Sequence, residues 1–215
     1  MRANKASTHS APHVMSLNIG GIQHVEWRGR DVTTGIWKHP VEGRVALAGV
    51  NFAGDDQADR TLHGGPDKAV YAYAREDYDY WRAAGMAAHD AMFGENLTTE
   101  GIDLSACIVG EQWTVGSAIL EIAQPRLPCY KLGIRVGDPT FLRRFVDAGR
   151  TGAYLRIVQE GDVGAGDAIA VISQPSHGIT IRNMVEALDD PDRAAELRAI
   201  PRLPRFWTEL AEPEA

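Results

Sequence analysis

Alternating hydrophobic and polar residues in short runs dominate the first two thirds of the chain, and turn residues separate these runs. A period of two is typical of strands that bury one face. The pattern predicts strands over residues 14–19, 22–27, 32–37, 44–50 and 69–73, and a longer strand over 113–123 that ends at Gln124-Pro125. The segment Arg28-Gly29-Arg30-Asp31 is typical of a hairpin turn between the second and third strands.

Helical periodicity is confined to short segments. Residues 76–84 predict a helix that packs Tyr80 and Trp81 inward and ends at Gly85. Asp138-Pro139 supplies an N-cap and a proline at the first helical position, so a second helix is expected to follow and to end at Gly149. Its apolar face consists of Phe141, Leu142, Phe145 and Val146.

The chain changes character after Pro175, where prolines separate three helical segments over residues 180–188, 191–199 and 205–211. Before that point, residues 115–125 resemble residues 165–175, and the two copies are either equivalent strands of a barrel or a chance match. We therefore predict three parts: a disordered tail over residues 1–14, with Met15 as an alternative start, a β-rich domain over 15–175, and a three-helix appendage over 176–215.

Composition narrows the classes of function. The 215 residues are enough for one main core, and 44% hydrophobic and 24% charged residues are ordinary for a globular protein. The net charge of −7 argues against nucleic-acid binding, which needs a basic surface. No apolar run is long enough to span a bilayer, and the polar start has no hydrophobic signal region. We expect a cytoplasmic protein that acts on small molecules.

The segment Gln124-Pro-Arg-Leu-Pro-Cys-Tyr-Lys131 carries the strongest chemical signal. Two prolines predict a rigid extended loop that ends at Cys129. A thiolate is a nucleophile and a soft-metal ligand, and the nearby cations Arg126 and Lys131 would stabilise it and bind an anion. The alternative is a buried structural cysteine, which is our interpretation of Cys107.

A second segment, Gly54 to Lys68, combines acidic residues with His63-Gly64-Gly65. The two glycines allow close backbone approach to a ligand, and their amide groups could form an anion-binding nest. Alternatively, Asp55, Asp56, Asp59 and His63 could bind a hard cation, or the acidic part could be a solvated loop. A third segment, Phe93-Gly-Glu-Asn-Leu97, would direct Asn96 toward a site, or it is only a capped turn.

The three segments, taken with Asp56-Gln57-Ala58-Asp59 and Val109-Gly110-Glu111, occur in an order that closely resembles the MOSC domain family, named for the C-terminal domain of molybdenum cofactor sulfurase. The resemblance runs from about residue 43 to about residue 174, and it is nearest to the stand-alone bacterial YiiM-like proteins, which carry a C-terminal three-helix appendage.

The resemblance implies a MOSC-type β-barrel with short peripheral helices and binding of the molybdenum cofactor, molybdopterin. Relatives reduce N-hydroxylated compounds, such as hydroxylaminopurines and amidoximes, with electrons from a flavoprotein reductase. Cys129 would be the metal ligand, and Cys129 and His63 would be the catalytic pair, with His63 able to relay a proton. The cofactor would be held by Arg126, Lys131, Gly64, Gly65, Lys68 and Asn96. A homodimer is a possible assembly, and pyridoxal phosphate binding is implied at family level only.

Two other functions remain open at this point. Cys129 could carry a persulfide and deliver sulfur to another metalloenzyme, without reducing a substrate. Alternatively, a Cys129–His63 pair could act as a hydrolase, which requires the two side chains to lie within hydrogen-bond reach.

Overall fold

The computed structural model describes residues 10–58 and 64–212, and it has the mixed, sheet-rich fold with short helices that the sequence predicts. The strands are β1 (His13–Ile19), β2 (Gln23–Trp27), β3 (Arg30–Thr34), β4 (His39–Pro40), β5 (Arg44–Ala48), β6 (Asn51–Phe52), β7 (Val70–Ala74), β8 (Leu97–Glu100), β9 (Gln112–Val115), β10 (Ala118–Pro125), β11 (Ala153–Gln159), β12 (Gly161–Gly164) and β13 (Ile169–Ser173). The α-helices are α1 (Arg75–Ala83), α2 (Tyr130–Val136), α3 (Phe141–Asp147), α4 (Ile181–Glu186), α5 (Pro191–Glu196) and α6 (Arg205–Ala211). None of these helices has the length and apolar character needed to cross a membrane.

Eight strands form the main sheet, in the order β13-β9-β10-β11-β7-β8-β1-β4. The predicted closed barrel is not found, because the edge strands β13 and β4 do not pair with each other in the described part of the chain. β4 is only two residues long and contains Pro40, which has no N–H group to extend the ladder. A single bridge between His13 and Ala168 joins the far part of the sheet to β1. Two smaller sheets, β12-β5-β6 and β2-β3, lie outside this order.

In two hairpins, the turn residues determine where one strand ends and the next begins. β2 and β3 pair as predicted, and Arg28 and Gly29 both have positive φ, at 52° and 71°, as a two-residue hairpin turn requires. The single strand predicted over 113–123 is wrong, because a turn at Gly116, with φ 59°, divides it into β9 and β10. The strand predicted over 32–37 ends earlier, at Thr34. The two resembling segments supply β10 and β13, which both pair with β9.

The predicted helices form, but α3 begins at Phe141 with Thr140 as its N-cap, whereas the sequence predicts Asp138 as the N-cap and Pro139 at the first helical position. α1 buries Trp81, but Tyr80 is 42% exposed and Tyr78 is buried in its place. Residues 78 and 81 are three apart and share one helical face, whereas residue 80 points away from it. Helix α2, which begins directly after Cys129, was not predicted.

The three C-terminal helices form at the predicted places, but they share the core of the sheet, so a separate appendage is not confirmed. α4 begins at a capping box between Thr180 and Asn183. Met184 and Trp207 are fully buried in the same hydrophobic cluster as the strands. The predicted tail also ends too late: β1 begins at His13, and Val14 is fully buried, while residues 1–9 lie outside the described chain.

A second cluster, made almost entirely of aromatic side chains, packs beside the main core. Its buried members include Tyr71, Tyr73, Tyr78, Trp81, Phe93, Phe141 and Phe145. Edge and stacked pairs connect them, for example Tyr73 to Phe93 at 4.9 Å between ring centroids. This aromatic cluster lies under the segment that carries Cys129, and it supports the candidate site.

Candidate functional site

The site lies along one row of residues that crosses the main sheet. Gln124 of β10 pairs with Tyr154 of β11, and Tyr154 pairs with Tyr71 of β7. The row continues to Asn96, whose N–H donates to the Tyr71 carbonyl, and to Asn18 of β1, whose N–H donates to the Asn96 carbonyl. Five separate parts of the chain are thereby brought to one place.

Cys129 ends the loop that leaves β10, as the two prolines predict. Loop residues Arg126 to Cys129 are neither helix nor strand, and Cys129 is the N-cap of α2 with extended φ and ψ. Cys129 is a partly exposed residue, whereas Cys107 is buried and donates a weak hydrogen bond to the Asp103 carbonyl at 3.5 Å. Burial raises the pKa of Cys107 well above its usual range. Of these two cysteines, Cys129 is the accessible one.

A cavity of about 110 Å³ opens at Cys129 and unites most of the predicted site. Of the predicted residues, the cavity is lined by Cys129, Arg126, Lys131, Lys68 and Asn96. Gly64 and Gly65 are not among the lining residues, and the Gly65 N–H donates to Gln57 Oε1 at 3.3 Å. His63 and Asp59 lie outside the described residues, so the Cys129–His63 pair stays a prediction.

Arg126 is a buried cation without a compensating carboxylate in the described part of the chain. Its guanidinium lies over the rings of Tyr71 and Phe145, at 5.7 Å and 5.5 Å from their centroids. Burial raises the pKa of Tyr71 and of Tyr154, so both side chains are neutral phenols that cannot balance the charge. The Nη1 atom of Arg126 is buried and has no hydrogen-bond partner. An anion in the cavity would supply both the missing charge and the missing acceptor.

Lys38 and Asp55 form a buried ion pair in the cavity wall that the sequence did not indicate. Their side chains are 8% and 2% exposed. Asp55 Oδ1 accepts from Lys38 Nζ and from the Gly20 N–H at 2.9 Å, and Oδ2 accepts from Asn96 Nδ2 at 2.9 Å. Asp55 is therefore not part of a solvated acidic loop, and the hard-cation alternative gains no support: no cluster of three or more His, Cys, Asp or Glu able to hold a metal occurs among the described residues.

Asn96 has two functions in this arrangement. Its Oδ1 accepts from the Tyr71 N–H at 3.1 Å, and its Nδ2 donates to Asp55 and also to the Asn18 carbonyl at 3.3 Å. The amide therefore fixes β7, β1 and the Asp55 loop to each other while it lines the cavity. The segment around Asn96 is more than a capped turn.

The donor set fits molybdopterin chemically. A phosphate needs cations and N–H donors, and a molybdenum centre needs a soft ligand. The cavity offers the Cys129 thiol, the unpartnered N–H of Arg126, and the side chains of Lys68 and Lys131. The described residues therefore fit such a group without a hard-metal cluster.

Comparison with known proteins agrees with the motifs. The family model of the MOSC domain matches residues 59–170. YflK of Bacillus subtilis is 38% identical over 170 residues, which are 79% of this chain and 77% of YflK. A reductase of Gibberella moniliformis is 32% identical over 152 residues, which are 68% of this chain but 27% of that protein. The crystal structure of YiiM from Geobacillus stearothermophilus superposes with a TM-score of 0.75 at 27% identity, covering 92% of this chain and 96% of YiiM. The chain belongs to the MOSC domain family, with YiiM as a structural relative over nearly its full length.

Proposed function

We propose that this protein binds molybdopterin and reduces N-hydroxylated compounds, such as hydroxylaminopurines and amidoximes, with electrons from a flavoprotein reductase. The observation that carries the proposal is the unpartnered, buried N–H of Arg126 in the same cavity as the Cys129 thiol. A buried charge is costly unless it is paired, so a site that keeps one is built for a counter-ion. Arg126 would hold the phosphate of the cofactor as that counter-ion.

Each lining residue has a distinct task in this proposal. Cys129 provides the soft ligand, and Arg126 offers a planar fork of N–H groups to the phosphate. Lys68 and Lys131 add point charges, while Asn96 is held in one orientation by its three hydrogen bonds. When bound, the cofactor supplies two-electron redox chemistry, and the chain supplies its position and electrostatic environment.

The family relatives support reductive chemistry. The Gibberella protein is named a reductase, and it is 32% identical to this chain over 152 residues. The similarity extends over only 27% of that protein, so an electron donor separate from this chain is consistent with the proposal.

The proposal is tested with protein made in a host that synthesises molybdopterin. We expect molybdenum and pterin in equal amounts in the purified protein, and reduction of a hydroxylaminopurine when an electron donor is added. Cys129→Ser should abolish this reduction and leave the fold intact, whereas Cys107→Ala, at the buried cysteine, should retain it. A folded, cofactor-loaded Cys129→Ser variant that still turns over would contradict the ligand role.

The same preparation distinguishes the sulfur-carrier alternative. If Cys129 carries a persulfide, cyanide should release sulfur from the wild type but not from Cys129→Ser, and molybdenum should be absent. That result would replace the reductase by a sulfur-delivery module built on the same accessible thiol.

A further inference from the structure

Lysine has an unusual distribution in this chain. Of the 22 Lys and Arg residues, only four are lysines, namely Lys5, Lys38, Lys68 and Lys131, and the last three line the cavity. Apart from Lys5, arginine supplies the Lys and Arg charges in the rest of the chain. Arginine is never deprotonated in proteins, whereas lysine can release a proton when it is buried. The cavity therefore contains the type of cation that can also act as an acid.

Lys38 is the most constrained of the three cavity lysines. Its side chain is 8% exposed, and Asp55 accepts one of its three N–H donors. The Lys38 ammonium makes no other hydrogen bond or ion pair within residues 10–58 and 64–212, so its remaining N–H donors are available in the cavity wall. Because Asp55 is itself held by Gly20 and Asn96, the ammonium group has a fixed position.

Burial and the neighbouring carboxylates change the pKa of Lys38 in opposite directions. Burial lowers its pKa, and the charge of Asp55, the hydrogen bond to Asp55 and the charge of Asp56 offset that effect only in part. Three further cations, Arg126, Lys68 and Lys131, face the same cavity. Lys38 is thus fixed in position, and burial makes it release its proton more readily than an exposed lysine does.

Reduction of an N–OH group requires such an acid. The N–O bond breaks with uptake of two electrons and two protons, giving an N–H group and water. Without a proton at the departing oxygen, the leaving group is hydroxide, which leaves poorly. On the basis of the proposed function, we propose that Lys38 is the acid that protonates the oxygen leaving the N-hydroxylated substrate. The flavoprotein reductase supplies the two electrons, the second proton reaches nitrogen from solvent, and solvent then reprotonates Lys38.

The leaving group itself provides the test. An amidoxime loses its oxygen as water, whereas its O-acetyl ester loses acetate, which needs no proton. Lys38→Met should reduce the amidoxime about 10² to 10⁴ times more slowly than the wild type, the usual contribution of a general acid. The ester should be reduced at nearly the wild-type rate. Molybdenum and pterin contents of the variant should match those of the wild type.

A double variant and an NMR titration complete the experiment. Because Lys38→Met leaves Asp55 buried and unpaired, Lys38→Met/Asp55→Asn is prepared as a second variant without buried charges, and the same selectivity is expected. In cofactor-free protein with isotope-labelled lysine, the NMR signal that is missing in Lys38→Met should titrate below the ordinary pKa of 10.5.

The outcomes separate this role from the proposed function. Equal losses on amidoxime and ester, or no loss on either, would overturn the role of Lys38 while the reductase stands, and so would an ordinary lysine pKa in the NMR titration. A wild-type protein that holds the cofactor and reduces neither compound would refute the reductase itself, and the acid role with it.

Discussion

Two buried arginines allow a direct test of whether Arg126 serves binding or stability. Arg156 of β11 is buried and fully paired: Nε donates to Asp67 Oδ1 at 2.6 Å, Nη1 to Glu121 Oε1 at 2.8 Å, and Nη2 to the Arg202 carbonyl at 2.6 Å. Arg126 is equally buried but has an unpartnered N–H and no carboxylate partner in the described chain. Replacement of each by methionine removes the same charge from two opposite environments.

The expected magnitudes follow from what each substitution leaves behind. Arg156→Met removes the nearest cation from the Glu121 carboxylate, whose side chain is 8% exposed, and breaking a buried pair costs about 3–5 kcal/mol. Glu121 keeps the hydrogen bond from Gln112 at 3.1 Å and the ion pair with Arg202 at 3.5 Å, so we expect the lower end of this range, about 3 kcal/mol. Arg126→Met strands no charge. It loses two cation–π contacts of about 0.5–1 kcal/mol each and a hydrogen bond to Tyr154 of about 1 kcal/mol, and it relieves an unpartnered donor of about 1–3 kcal/mol, so its net effect should stay within about 1 kcal/mol.

The assay is urea unfolding of the cofactor-free protein, followed by tryptophan emission. Arg156→Met should have a clearly lower midpoint at an unchanged slope, and Arg126→Met a nearly unchanged one. Pterin content is measured after production in a host that makes molybdopterin, and here Arg126→Met should be the variant with the larger loss. Pterin should be lost in Arg126→Met and retained in folded Arg156→Met. A stability loss in Arg126→Met as large as that in Arg156→Met would refute the reasoning, because Arg126 would then be a structural residue.

Two further predictions concern the surroundings of the cavity. Burial raises the pKa of Glu95 from 4.5 to about 7, so the folded state holds a proton that the unfolded state releases; stability should fall by roughly 3 kcal/mol as pH rises from about 4.5 to about 7. Glu95→Gln should remove this decline in urea unfolding, and an unchanged pH dependence would contradict the assignment. The Trp27 ring at the β2–β3 turn lies 5.6 Å from the ring of Tyr130, next to Cys129. Trp27→Ala should cost about 1 kcal/mol and speed amide exchange in that hairpin, while Trp27→Phe should preserve protection; equal exchange in both variants would show that the ring contact does not hold the hairpin.

Local signals in the sequence were sufficient for part of the site. Cys129, Arg126 and Lys131 lie within six residues, and two prolines mark their loop, so their proximity follows from the chain itself. Asn96 and Lys68 were predicted from motifs that occur in a particular order along the chain, and both line the same cavity. Lys38 could not be found in this way. A lone lysine between Trp37 and His39 looks like a surface residue, and its partner is seventeen residues away in a stretch that looks solvated.

The fold was predictable where turn chemistry is strong and uncertain where it is weak. Arg28-Gly29 marked its hairpin, but Gly116-Ser117 interrupts an alternating run that continues on both sides, so one strand was predicted where two occur. Closure of the sheet depends on which strands meet at its edges. No local pattern reports that, because it is set by long-range pairing.

One irregularity in β10 links the hydrophobic core to the site. Ile122 pairs with Leu155, but Gln124 pairs with the adjacent Tyr154, so Ala123 is an extra residue in a β-bulge. Successive residues of β11 point to opposite faces of the sheet, and Leu155 belongs to the main core while Tyr154 lines the cavity. The bulge therefore moves β10 from the core face to the cavity face immediately before its end.

This change of face has structural consequences on both sides of the sheet. Gln124 donates to the Asp67 carbonyl at 3.1 Å and accepts from Trp207 Nε1 at 3.0 Å, which ties the turn that carries Lys68 and the last helix to β10. Arg126 follows two residues later and enters the cavity beside Tyr154. An unbulged β10 would keep Gln124 on the face of Ile122, in the apolar core, and would shift every residue up to Cys129 by one position. The single extra residue thus lets one strand contribute both to the core and to the chemistry.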